Sequence, residues 1–180
     1  GISKNLVILS DDAGQFNVLL HALCWVHAER TIEVLVGYTD RQRKLIESVK
    51  KDIWGLYRQL KKYRLDPHSN TKADLEKGFD SIFGQKTGYA SLDNALKRIY
   101  RNKSELLLVL DRPDIPLHNN SAENAIREYV KRRKISGSTR SKTGRQCRDT
   151  FTSLKKTCRK LGVSFSLYLK DRIENIGFIL

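Results

Sequence analysis

The chain has 180 residues, 39% of them hydrophobic and 30% charged, with a net charge of +14. That balance excludes intrinsic disorder, and no run of about 18 apolar residues exists to span a membrane. Three cysteines, Cys24, Cys147 and Cys158, are odd in number and widely spaced, which argues against a disulfide framework and for a reducing, cytoplasmic setting.

The opening stretch, GISKNLVILSDD, has an apolar part of four residues ending in acids, so it does not read as a signal peptide. Leu6 to Leu9 is short, apolar and β-rich, the pattern of a strand buried on both faces in a parallel sheet. Asp11 and Asp12 follow it, where open α/β sheets place their sites; either could instead cap the helix expected over 13–20. Ala22 to His27 (ALCWVH) reads as a second strand. Cys24 and His27 are too few to make a metal site; the expected roles are buried Cys24 and Trp25 with a satisfied His27.

From Ala28 to about Tyr63 the pattern turns helical. Leu45, Val49, Ile53, Leu56 and Leu60 form an apolar stripe beneath Lys and Arg. Pro67 and the following HSNTK interrupt it. Leu75 to Phe83 is a further helical piece stopped by Gly84, and Ser91 opens a helix running through LLLVL to Asp111-Arg-Pro113. None of these segments carries a catalytic signature.

A polar turn, His118-Asn119-Asn120-Ser121, then leads into a helix with Glu123 in its first turn and Arg127 one turn later. Asn120 and Glu123 have the spacing of a capping box, and Glu123 with Arg127 that of a surface ion pair. Residues 127–160 hold thirteen Lys and Arg against Glu128 and Asp149, a net +11. Such a localised charge points to a polyanion, most directly nucleic acid. Its densest parts are Lys131, Arg132, Arg133 and Lys134, then Arg140, Lys142 and Arg145 in a Gly/Ser/Thr loop, Ser136 to Arg145. Backbone amides, hydroxyls and cations of such a loop suit phosphate oxygens. The order GxxxxGK[ST] is absent, so the loop is not a P-loop. Helices are expected over Thr150 to Leu161 and Ser166 to Arg172.

Three stretches taken together, LVILSDDAGQF, ALCWVHAER and PLHNNSAENAIREYVKRRKISGSTRS, resemble the C-terminal catalytic half of an insertion-sequence transposase. The nearest likeness is the IS-sixty-six-like group of DDE enzymes. The resemblance implies an α/β, predominantly helical chain: the C-terminal part of an RNase H-like fold, with a helical insertion between the last core strand and the catalytic-Glu helix. It divides the chain into a strand–helix–strand remnant of the core (1–27), the insertion (28–113), and the catalytic-Glu helix, basic loop and closing helices (114–180).

The resemblance makes Asp11 the second acid and Glu123 the last acid of a DDE triad, and matches Arg127 and the Cys24-Trp25-x-His27 segment. His118 and Asn124 depart from the usual pattern. It implies two Mg²⁺ (or Mn²⁺) ions in the complete enzyme, DNA (transposon ends and target) as partner, homo-oligomers, and a bacterial, nucleoid-associated setting. The first acid is expected upstream of Leu6. The chain is therefore expected to be a truncated form, inactive alone. Two-metal phosphodiester chemistry agrees in kind, because ions about 3.5–4 Å apart need carboxylates to hold them. Two rival readings remain: a non-catalytic DNA-binding remnant, and a helical protein–protein module over residues 40–110 betrayed by an exposed apolar patch.

Overall fold

A computed structural model of the chain describes residues 6–12, 20–137, 139–174, 176 and 177, apart from the side chains of Ser121, Ala125, Glu128, Arg132 and Ser136. Most of the helix expected over 13–20 lies outside them. The chain is mostly helical with a small sheet, and it divides into two compact units, Gly1–Asn119 and Asn120–Leu180. Among the described residues no helix is long and apolar enough to cross a membrane.

In the first unit β1 (Val7–Ser10) and β2 (Leu20–Leu23) pair in parallel, with Val7 opposite Leu20 and Ser10 opposite Leu23. Val7, Ile8 and Leu9 are half-buried rather than buried on both faces, because the described sheet is only two strands wide. The second strand is also not where its composition put it. It ends at Leu23, and Trp25–Glu33 is helix α1. Tertiary packing overrides the β propensity of CWVH. The Cys24 amide extends the ladder by donating to Ser10 O (2.9 Å), after which the Trp25 amide and indole N–H donate to Leu117 O (3.0 Å) and Leu106 O (2.9 Å). The Trp25 ring then meets Phe79 edge-on, at 6.1 Å between centroids.

The helical stretch expected from 28 to 63 breaks into α1 and α2 (Asp40–Tyr63). Thr39 restarts the helix with a reciprocal capping box, its hydroxyl accepting from the Gln42 amide and its amide donating to the Gln42 side chain, both at 3.2 Å. The α2 stripe is buried from Val49 through Leu60, with Leu45 partly so. It packs on Leu75, Phe79 and Phe83 of α3 (Ser69–Phe83), and α3 in turn packs on α4 (Ala90–Arg101), whose Leu92, Leu96 and Ile99 join the same core. Each such side chain contributes about 1.5–3 kcal/mol by leaving water.

The helix expected through LLLVL ends early. Asn102 leaves helical geometry, a short α5 (Lys103–Leu106) follows, and Leu108–Leu110 is a 3-10 turn. Leu106, Leu107, Val109 and Leu110 are all buried and join the core cluster across this break. Of the described residues between 40 and 110, Leu65 and Tyr100 are the exposed large hydrophobics, two side chains rather than a patch.

The second unit consists of α6 (Asn120–Ser136), α7 (Lys142–Lys160) and α8 (Phe165–Ile173). Asn120 is the first residue of α6 itself. The basic loop is shorter than its composition suggested. Gly137, at φ 67°, ends α6, and α7 already starts at Lys142. Ser141 caps α7 by accepting the Gly144 amide at 3.0 Å. A side chain at Gly144 would come within 2.6 Å of the Thr139 methyl, so the turn admits only glycine without shifting. Gly162, at φ 69°, closes α7, and Phe151 and Phe165 meet edge-on at 6.3 Å to join α7 to α8. Cys24, Cys147 and Cys158 are free thiols.

Candidate functional site

The first unit concentrates its polar chemistry where β1 ends. Ser10 is buried, and its hydroxyl lies 2.7 Å from His21 Nε2. The chain then turns sharply. Asp12 sits in the left-handed region at φ 69°, a conformation that Asp tolerates better than most side chains but still at some strain. Asp11 and Asp12 thereby stand exposed at the C-terminal edge of a parallel strand pair, the side on which α/β sheets bind ligands.

A cavity of about 50 Å³ opens there, lined by Asp11, Asp12, His27, Thr31, Arg98 and Asn102 over an apolar floor that includes Leu106. The Arg98 guanidinium of α4 reaches Asp12 Oδ2 at 3.4 Å, and Arg30 lies 3.3 Å from His27 Nε2. Exposed carboxylates suit a hard divalent cation in kind. In number they fall short: among the described residues no three His, Cys, Asp or Glu side chains stand close enough together to hold an ion. Asp12 already shares its charge with Arg98, which leaves Asp11 as the open carboxylate of the cavity lining.

In the second unit Glu123 is half-buried in the first turn of α6, where the helix macrodipole favours a carboxylate. Arg127, Lys131 and Lys134 share its face of the helix, and with Ile126 and Val130 they line one open groove. Arg133 is exposed on the same helix; the side chain of Arg132 lies outside the described residues. Arg140 is exposed in the connection before α7. Lys142 and Arg145 are exposed in the first turn of α7, at the positive end of its dipole. Cations there are unfavourable for the helix alone and favourable once an anion is present.

The structure thus groups Glu123 with Arg127, Lys131 and Lys134 on α6, and Asp11 with Asp12 at the strand end, the two acids falling in different units. Arg98 was not legible as a site residue. It stands 86 positions from Asp12, inside a segment whose sequence shows only helical periodicity. His27 was visible as part of CWVH, but placing that run on a strand hid its helical position beside Asp11.

A family model described as "Transposase IS66 family" matches residues 7–147. A protein of Sinorhizobium fredii (strain NBRC 101917 / NGR234), described as "Uncharacterized protein y4jO", is 51% identical over 173 residues, covering 96% of this chain. The chain spans about half the length of that relative, 54%. No solved structure matches.

Proposed function

From a chain that belongs to the transposase IS66 family, we propose a catalytic segment that cleaves and joins DNA phosphodiesters at transposon ends. The observation that carries this reading is Asp11 at the C-terminal edge of the parallel pair, exposed beside a polar cavity. Glu123, in the first turn of a strongly basic helix, is its proposed partner acid. In this reading the first unit carries the C-terminal part of an RNase H-like core, with the helices of residues 28–113 inserted between the last core strand and the Glu123 helix. DDE enzymes generally work with divalent metals; in this reading Asp11 and Glu123 each offer a carboxylate ligand to Mg²⁺ or Mn²⁺, which would supply Lewis acidity at the scissile phosphate.

The roles of the chain's own residues follow from their chemistry. Asp11 and Glu123 present hard oxygen ligands. Arg127, Lys131, Arg132, Arg133 and Lys134 hold the phosphate backbone along α6, while Arg140, Lys142 and Arg145 hold it around the start of α7. The cations position the DNA without reading its sequence, and they offset the repulsion between a phosphodiester and two carboxylates. The setting proposed is the bacterial cytoplasm, on the nucleoid.

The test is Mn²⁺- and Mg²⁺-dependent nicking of a transposon-end duplex by the protein carrying this chain. Asp11→Asn and Glu123→Gln should each abolish nicking while leaving DNA affinity in EDTA unchanged. Retained nicking in either variant overturns the catalytic assignment. Metal-independent DNA binding with no nicking by any form would support a non-catalytic DNA-binding role instead.

A further inference from the structure

The cations assigned to DNA above all lie in the second unit, yet the acidic strand end of the first unit has a cation of its own. Arg98 projects from α4, lines the cavity beside Asp11 and is two-thirds exposed, at 66%. Its ion pair with Asp12 is long, 3.4 Å, between side chains that both face water. Pairs of that kind contribute little to stability. Arg98 is therefore poorly explained as a strut. A guanidinium that is loosely held and open to solvent is, by contrast, well suited to exchange its carboxylate for a phosphate, which it can grip through two parallel hydrogen bonds.

There is also a charge argument for a cation at this place. A phosphodiester brought to the Asp11–Asp12 corner meets two adjacent carboxylates, and the repulsion must be offset locally for it to dock. Of the side chains lining the cavity, Arg98 is the strong cation. We propose that Arg98 is a DNA-phosphate ligand of the first unit, parked on Asp12 in the free protein and transferred to the backbone phosphate that enters beside Asp11. The helical region between the strands and α6 then contributes directly to substrate binding. This inference rests on the DNA reading above.

The pairing with Asp12 makes the proposal testable by opposite signs. The 180-residue chain is titrated with a 30-base-pair mixed-sequence duplex in EDTA from 50 to 200 mM salt, alongside thermal melts. Arg98→Ala should bind more weakly at low salt, and the slope of log K against log salt should flatten by about 0.9, so that about threefold less affinity is lost over that salt range. Asp12→Asn, which keeps the shape and releases the guanidinium, should bind more tightly than the parent, with its slope retained. Arg98→Lys should keep the slope, since a point charge still releases a counterion. Melting temperatures of all three should stay close to the parent's.

An Arg98→Ala slope equal to the parent's overturns the proposal, as does equal weakening by Asp12→Asn and Arg98→Ala together with a shared fall in melting temperature, the mark of a structural pair. The triple variant Arg140→Ala, Lys142→Ala, Arg145→Ala separates the two claims. If it flattens the slope while Arg98→Ala does not, the DNA reading stands and only the Arg98 inference falls. Absence of DNA binding by the parent overturns both.

Discussion

The two units of this chain are built on different balances of forces. In the first, Trp25, Ile32, Leu60, Phe79, Leu92 and Leu96 are almost wholly removed from water and their helices interlock around one apolar centre. In the second, Cys158 is the buried hydrophobic side chain among the described residues, and Ile126, Ile135, Phe151, Leu167 and Ile173 are exposed. The second also carries the net +11 of residues 127–160. Like charges at that density repel, and few apolar contacts stand against them. The difference sets an expectation for each unit: the first should be ordered by its own core, and the second should gain order from what its charges and exposed side chains bind.

The largest effect should come from breaking the core of the first unit. Trp25→Ala removes a buried ring together with the indole N–H donated to Leu106 O, and should cost about 3–5 kcal/mol in a urea melt. Phe151→Ala, about half exposed in the second unit, should cost far less. Similar losses at both positions would erase the contrast.

Next comes the effect of stripping charge. Arg140→Ala, Lys142→Ala and Arg145→Ala together should lower DNA affinity on all sequences and flatten the salt slope by roughly 0.9 per lost phosphate contact. The melt of the first unit should be unmoved. An unchanged slope would mean that the start of α7 faces away from DNA.

Hydrogen exchange sharpens the comparison without mutation. Amides of α6 and α7 should exchange well before those of α2 and α4, and duplex DNA should slow the former selectively. Equal protection in free protein would refute the view that the second unit depends on a ligand for its order.

Two smaller effects probe ionisable groups within the first unit. Asp93 accepts both the Thr87 amide and the Thr87 hydroxyl at 2.7 Å, and these hydrogen bonds, the amide's first, hold its carboxyl below the ordinary range. Their stabilisation is present above that range and is lost as pH falls through the lowered value. Thr87→Val should therefore cost about 1 kcal/mol or less at neutral pH and less than that at strongly acidic pH, where the hydroxyl's bond from the Tyr89 amide is still lost. Glu29 is buried on α1, and burial, then the neighbouring Glu33, raises its carboxyl above the ordinary range despite the Trp54 indole N–H it accepts at 3.3 Å. The contribution of a raised carboxyl is full below the ordinary carboxylate range and is lost as pH rises through the raised value. Glu29→Gln should thus melt slightly higher than the parent at neutral pH, with the advantage vanishing in acid. The reverse order would place Glu29 in a favourable ion pair instead.

Much of this protein was written in its local pattern. The stripe from Val49 to Leu60 announced α2, Gly84 and Gly162 marked helix ends, and the concentration of Lys and Arg after Arg127 marked the basic unit. Such features depend on periodicity, backbone freedom and charge, which neighbouring residues settle among themselves. The strand Val7–Ser10 with acids at its end was equally legible, and its motif company was enough to suggest the family. What local pattern could not decide was everything set by distant partners. CWVH has strand-like composition, yet Trp25 becomes helical because Leu106, Leu117 and Phe79 hold it. Asp12 adopts a left-handed turn, and Arg98 arrives beside it from 86 residues away. These are choices between conformations of nearly equal local energy, and long-range contacts that have no trace in sequence spacing tip them.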